Sequence, residues 1–291
     1  MNTFRGPISR VSTSILREVI YGGHILSLGA SGIVLTIVLV LALPVNVIIL
    51  IIPYLSSQVV YTYNHFREIE FDIDTNPERA QHLQHQKRWM SLVLLGYLLV
   101  LFSLLFQTNL YTSLFVIAVV SGGILYTEYI KEIASRYFAG LKNVYTSFFW
   151  ALTIFIIPCF YQTSILPAYL YLFIFVFLRW IVNSAFFDIK DITSDDQREI
   201  RTFATLFGKK RTIDILHTVN VASAIPLFLG IHLHALPINT LLLALTSLYG
   251  FCYLTRSAHI SDKSLRTLSY LVVDAEYIIW PLLILAGRII F

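Results

Sequence analysis

The sequence predicts an all-α membrane protein: a nine-transmembrane-helix bundle around a central cavity, with its N-terminus in the cytoplasm. Three observations lead there. The 291 residues are 57% hydrophobic and 13% charged, with mean hydropathy +0.73, whereas soluble domains run to roughly 45–50% apolar and about 25% charged. The apolar residues fall into nine runs, each near the ~20 residues that a helix needs to cross the hydrocarbon core. The basic residues gather before the first run and after every second one, as they do when those loops are cytoplasmic.

The runs lie at about 21–43, 44–63, 89–107, 109–127, 143–161, 164–187, 212–232, 236–255 and 267–287. The first follows a polar stretch ending at Glu18 and has full spanning length, so it reads as an anchor rather than a cleavable signal. Pro44 divides it from the second, which closes on an acidic cluster and a loop with Arg67, Arg79, Lys87 and Arg88. Lys131, Arg136 and Lys142 follow the fourth run. The fifth and sixth are parted by a break from Pro158 to Ser164, and the sixth closes on a second acidic cluster within a loop carrying Lys190, Arg198, Arg201, Lys209, Lys210 and Arg211. Pro237, after His232 and His234, marks the turn between the seventh and eighth, and Arg256, Lys263 and Arg266 precede the ninth. Pro53, Pro226 and Pro281 fall inside runs, where neighbouring helices can satisfy the freed backbone groups, so none need end a helix. Low-complexity segments and soluble inserts are absent from the sequence, so residues 1–291 form one integral-membrane domain. Spans two and six, each running inward to an acidic cluster, suggest two halves across a cavity.

The clusters carry the functional reading. Asn64, Glu68 and Asp72 stand at i, i+4 and i+8, with Asp74, Asn76 and Arg79 just beyond; Asp188, Asp191 and Asp195 repeat the pattern at the end of span six. Such spacing projects carboxylates from one helix face. Magnesium takes one or two carboxylates together with water and phosphate oxygens, so two acidic helix ends on one membrane face suit a metal-bridged diphosphate. Cys159 and Cys252 lie in apolar runs and read as packing residues. His82 with His85, and His232 with His234, lack the further ligands of a zinc site. His65 follows Asn64 and is expected on another helix face. The pI near 9.0 implies no nucleic-acid partner, because basic loops beside a bilayer meet anionic lipid and diphosphate.

These residues resemble the UbiA superfamily of intramembrane prenyltransferases. The second cluster, with Arg201, Thr202 and Gly208 downstream, is similar to that family's second motif; Asn64 and Asp72 are similar to its first, with Glu68 in place of a middle Asp. Ser194 and Glu199 stand where the family often has Gly, and Phe203-Ala204 where it has Leu-Pro. The resemblance implies a nine-helix fold with both motifs cytoplasmic and two Mg2+ ions held by Asn64, Glu68, Asp72, Asp188, Asp191 and Asp195 around a prenyl diphosphate. Tyr126, Lys131, Lys142 and Asn143 resemble the family's loop after span four, where basic side chains meet the diphosphate. Arg79 and Arg201 join them as expected substrate contacts.

Arg179 lies about two and a half turns before Asp188, which aims it away from the cluster. A buried charge needs a partner, and Asp274 or Glu276 in the last span would supply one. The 21 Phe and 17 Tyr could wall an isoprenoid chain, although rings in spans are more often packing or interface belts.

The expected activity is magnesium-dependent prenyl transfer from a prenyl diphosphate to a lipophilic acceptor, at a membrane site facing the cytoplasm. Two readings compete with it. Without an acceptor, the allylic cation could be attacked by its own chain, as in a UbiA-type terpene cyclase. An ion-coupled transporter would instead place its acids near mid-membrane, whereas these lie at helix ends.

Overall fold

The computed structural model describes residues 7–70, 73 and 76–291, and their side chains apart from those of 7–13, 132–134 and 262. It is helical throughout the described residues. Eight helices are long and apolar enough to cross a membrane, or nine if the pair 14–21 and 24–40, bent by 56°, is one span. The helices are α1 (Pro7–Tyr21), α2 (His24–Val40), α3 (Val47–Glu68), α4 (Pro77–Leu105), α5 (Leu110–Leu125), α6 (Leu141–Leu152), α7 (Pro167–Gln197), α8 (Phe203–Ala222), α9 (Ile225–His232), α10 (Leu245–Ser257), α11 (Asp262–Leu268) and α12 (Glu276–Ile290). Short helical stretches extend α6 to Tyr161 and lead into α10 from Ile238.

Local chemistry sets many of the boundaries. Asn46 caps α3 by accepting from the Ile48 amide at 2.8 Å, and Asn109 caps α5 by accepting from the Thr112 amide at 2.9 Å. The Asn109 side-chain amide also donates to the carbonyl of Cys159 at 2.9 Å, tying two turns together at one end of the bundle. Pro77 and Pro167 open α4 and α7, where the missing amide proton costs nothing. Pro53 and Pro281 lie inside helices, as expected. Pro226 departs from that expectation: the seventh run divides into α8 and α9 just before it, because its ring opposes the carbonyl of Ala222, where α8 ends. Pro158 sits within the extension of α6, and the turn falls later, at Gln162 with φ 52°.

Sequential neighbours pack in order, α2 on α3, α3 on α4 and α5, α6 on α7, α7 on α8, and α8 on α10; α12 then returns to α2, closing the bundle. Gly32 permits that closure, since a Cβ there would overlap the Tyr277 backbone. At the centre Trp180 of α7 is sandwiched between Trp150 (3.9 Å between ring centroids) and Tyr277 (4.7 Å), joining α6, α7 and α12. The polar ends outrun the hydropathy runs. Helix α7 continues ten residues beyond 187, so its acidic cluster stands on regular helix rather than in a loop.

Arg179 is fully buried and pairs in two-pronged fashion with Glu276, its Nε donating at 2.8 Å, and it also donates to Asn220. This joins α7, α8 and α12, as anticipated for one of the two candidate acids. Removing one member of such a pair leaves the other charge buried and alone, at a cost of about 3–5 kcal/mol, whereas replacing both with apolar residues is often neutral. Thermal unfolding in detergent should therefore show Glu276→Leu strongly destabilised and Arg179→Leu/Glu276→Leu close to the parent.

Candidate functional site

The C-terminal ends of α3 and α7, the end of α5 and the start of α6 meet at one end of the bundle. On α3 the four-residue spacing brings the Asn64 amide to Glu68 at 3.1 Å, and Thr127 donates to the Asn64 oxygen at 3.3 Å. Lys131 reaches across to pair with Glu68. On α7, Lys142 bridges two acids one helical row apart, Asp188 at 2.7 Å and Asp195 at 3.0 Å. Asn143 donates to the other Asp188 oxygen at 2.7 Å. Lys190 pairs with Asp191 at 2.6 Å and lies 5.3 Å from the centre of the Phe187 ring.

Two departures from α-helical winding shape this end. Residues Tyr126–Ala134 and Ser269–Val273 are wound as π-helix, a widened turn that occurs often at functional sites. The first carries Tyr126 and Lys131 to the site, and the second carries Tyr270 and leads directly into Asp274.

A cavity of about 160 Å³ lies between these elements, lined by Asn64, Glu68, Arg79, Tyr126, Lys131, Lys142, Asp188, Lys190, Asp191 and Asp274, with Tyr61, Trp180, Phe187 and Tyr270 among its rings. Among the described residues, four carboxylates and four cations face it, so the charges of its wall balance. A second space beside it shares Tyr61, Asn64, Tyr126 and Thr146, and an apolar cleft that shares Tyr61 is lined by Val60, Phe115, Val116, Val120 and Trp150. Gly123 lines both and lies tight against α3, since a Cβ there would come within 2.7 Å of Val60.

The sequence-derived residues distribute unevenly over this geometry. Asn64, Glu68, Asp188, Asp191, Arg79, Tyr126, Lys131 and Lys142 line one cavity. Asn143 and Asp195 stand directly behind it through Asp188 and Lys142. Arg201 is exposed and outside the lining; its backbone joins Ser135 and Gly140, which makes it a splint for the loop. Asp72 and Asp74 lie outside the described residues. His65, expected on another face of α3 from Asn64, also lines the cavity. Glu199 has φ 58°, a left-handed conformation that glycine adopts at no cost.

Tyr270, read from the sequence as lining an aromatic cavity, does line this one, whereas Lys190 and Asn183 were missed as cavity residues. Lys190 is two residues from Asp188, on nearly the opposite side of an α-helix, and carried no phase signal. Only the approach of the Ser269–Val273 segment encloses it: Lys190 lies 5.8 Å from the centre of the Tyr270 ring.

A divalent cation can be tested against these donors. Among the described residues, no three His, Cys, Asp or Glu side chains converge closely enough to hold a metal alone. That suits magnesium, which is bound through one or two carboxylates completed by water and phosphate rather than by an all-protein cage. One oxygen of Asp191 is buried without a hydrogen-bond partner, leaving a hard anionic donor open toward such an ion. The residues fit the group.

A family model described as the UbiA prenyltransferase family matches residues 25–272. Among solved structures, a UbiA homolog from Aeropyrum pernix K1 in its apo form is 17% identical with TM-score 0.66, over 92% of this chain and 97% of its own. A UbiA homolog from Archaeoglobus fulgidus bound to GPP and Mg2+ is 13% identical with TM-score 0.60, over 94% and 98%. A digeranylgeranylglyceryl phosphate synthase structure is 13% identical with TM-score 0.60, over 96% and 100%. No curated protein matches the chain in sequence.

Lys142 is the shared cation of two buried acids, so Lys142→Met should lower stability by about 3–5 kcal/mol. The pair Lys87–Glu70 is open to solvent on both sides, at 3.7 Å, and Lys87→Met should cost less than about 1 kcal/mol. Parallel melts in detergent compare the two.

Proposed function

The chain belongs to the UbiA prenyltransferase family, and from that premise we propose that it is a magnesium-dependent prenyltransferase moving an isoprenoid chain from a prenyl diphosphate to a lipophilic acceptor. The observation that carries this reading is the cavity in which Asn64, Glu68, Asp188 and Asp191 meet Arg79, Lys131, Lys142 and Lys190 beside an apolar cleft. Counting the bent pair as one span gives nine. With basic loops inside, the N-terminus and the site face the cytoplasm, and residues 1–291 act as one membrane domain. Relatives in this fold support the substrate class: the Archaeoglobus fulgidus homolog is bound to GPP and Mg2+ in one structure and to DMAPP and Mg2+ in another.

Asn64, Glu68, Asp188 and Asp191, joined by Asp72 and steadied by Asp195, would hold the metal. When bound, Mg2+ would neutralise charge on the departing diphosphate. The chain's own groups do the rest. Lys131, Lys142 and Lys190, closed here onto carboxylates, are donors for phosphate oxygens, and Arg79 adds a fourth set of N–H groups. Because they are fixed in a partly dehydrated cavity, they stabilise leaving-group charge more than water would. The rings of Tyr61 and Phe187 offer π-surface to the allylic carbons, and Trp180, whose faces are stacked on Trp150 and Tyr277, closes the wall and helps keep water from them.

Purified protein should release diphosphate from prenyl diphosphates only with Mg2+ and only when an acceptor from lipid extract is supplied, and EDTA should abolish the release. Asp188→Asn and Asp191→Asn should each lower kcat/KM by about 10²-fold or more. A cyclic hydrocarbon or alcohol formed without acceptor, identified by mass spectrometry, would assign cyclisation instead.

A further inference from the structure

Asp274 is the acid of the cavity wall that the diphosphate reading leaves without a task. It is 5% exposed and faces the same space as Glu68, Asp188 and Asp191. Those three are each paired with a lysine, and Glu276, two residues on, is paired with Arg179. The side chain of Asp274 instead takes a hydrogen bond of 3.3 Å from the Asn183 amide. A buried carboxyl held by an amide rather than by a cation has spare capacity to bond a ligand. The backbone points the same way: the π-wound segment Ser269–Val273 ends at Asp274, whose amide closes the widened turn on the Ser269 carbonyl at 3.2 Å.

Its depth defines the ligand atom it would meet. Asn183 precedes Asp188 by five residues on α7, so its backbone lies about 7 Å further into the bundle than that of Asp188, and its amide holds the Asp274 carboxyl on that deeper side. Below it come the rings of Trp180 and Tyr61. Asp274 thus stands on the border between the charged and the aromatic parts of the cavity. In a prenyl diphosphate the reacting carbon is joined directly to a phosphate oxygen, so it lies on that same border.

We propose that Asp274 is the proton acceptor for the second half of the reaction, and that the acceptor substrate is a lipophilic alcohol or phenol that donates its hydroxyl hydrogen bond to this carboxylate. The inference rests on the prenyl-transfer reading above and deepens it. The bond between the allylic carbon and the phosphate oxygen breaks, its electron pair leaving with diphosphate. The acceptor oxygen forms the new carbon–oxygen bond of an ether, and its proton passes to the Asp274 carboxylate. Asn183 holds that carboxylate in place and is a positioning residue.

The test uses the full chain in nanodiscs with Mg2+, geranyl and longer prenyl diphosphates, and two hydroxyl probes, a long-chain alkanol and an alkyl phenol. The unreactive S-thiolo analogue of geranyl diphosphate reports binding. The parent should make an ether with at least one probe. Asp274→Asn should lose about 10²-fold or more of that rate while binding the analogue within about threefold of the parent, and Asp274→Glu should recover part of the rate. An Asp274→Asn variant that transfers normally, or that loses analogue binding in parallel with rate, overturns the proposal. So does a parent that binds the analogue with Mg2+ yet prenylates neither probe, an outcome that leaves the prenyl-transfer reading standing. A parent that fails to bind the analogue overturns that reading itself.

Discussion

The interior of this bundle is organised by the cost of placing charge in a medium of low dielectric. An ion in such a place must be paired, hydrogen-bonded or neutralised, and the described helices meet that demand mostly pair by pair, with Asp274 held by the Asn183 amide instead. Arg179 answers Glu276, Lys131 answers Glu68, Lys142 answers Asp188 and Asp195 together, and Lys190 answers Asp191. Each of the first three pairs joins two helices distant in sequence, so the charges that a chemical site needs also fix where α3, α6, α7 and α12 stand. The Arg179–Glu276 pair and its Asn220 partner lie deeper in the bundle and serve as a pin below the cavity. The lysine pairs lie at its wall, where a ligand can compete for either member.

Backbone geometry works toward the same end. A bundle of uniform α-helices packs its side chains densely and leaves little room for a polar chamber. Here the chamber opens where the winding changes, at Tyr126–Ala134 and Ser269–Val273, and where the α1–α2 pair bends by 56°. Widened turns offset the side-chain rows on either side of them. Lys131 is thereby directed to Glu68 of α3, while Tyr270 and Asp274 are directed to Lys190 and Asn183 of α7.

The fold was legible in the sequence because hydropathy and charge placement are both additive along the chain. Runs near 20 residues, separated by alternating basic loops, needed no knowledge of packing, and the observed helices follow them. Limits appeared where amphipathic helix carries on past the apolar run, as α7 does beyond 187, and where one proline, Pro226, divides a run. The acids of the site were legible from their spacing along two helices. Lys190 and Asn183 were not, since their position depends on which helix stands opposite. His65, on a different face of α3 from Asn64, joins the same lining, which one helix's periodicity does not reveal. The substitution at Glu199 has a backbone meaning that spacing alone could not give: its φ of 58° explains why glycine suits that position.

The balance of charge in the cavity also bears on the order in which ligands arrive. Among the described residues its lining holds four acids and four cations, and three of those acids lie against a lysine, so most of its charge is compensated within the wall. A diphosphate ester carries about three negative charges near neutral pH, one on the ester-linked phosphate and the rest on the terminal phosphate, which loses its last proton near pH 6. Entering by itself, it would leave the wall with an excess of anion in a place where such an excess is costly. Divalent cations by themselves would leave the opposite excess. Entering together the two would nearly cancel, and the lysines now paired with carboxylates would be free to meet phosphate oxygens while those carboxylates met the cation. A wall of paired charges of this kind would favour joint binding of cation and diphosphate over binding of either alone, a coupling that needs only pairwise electrostatics.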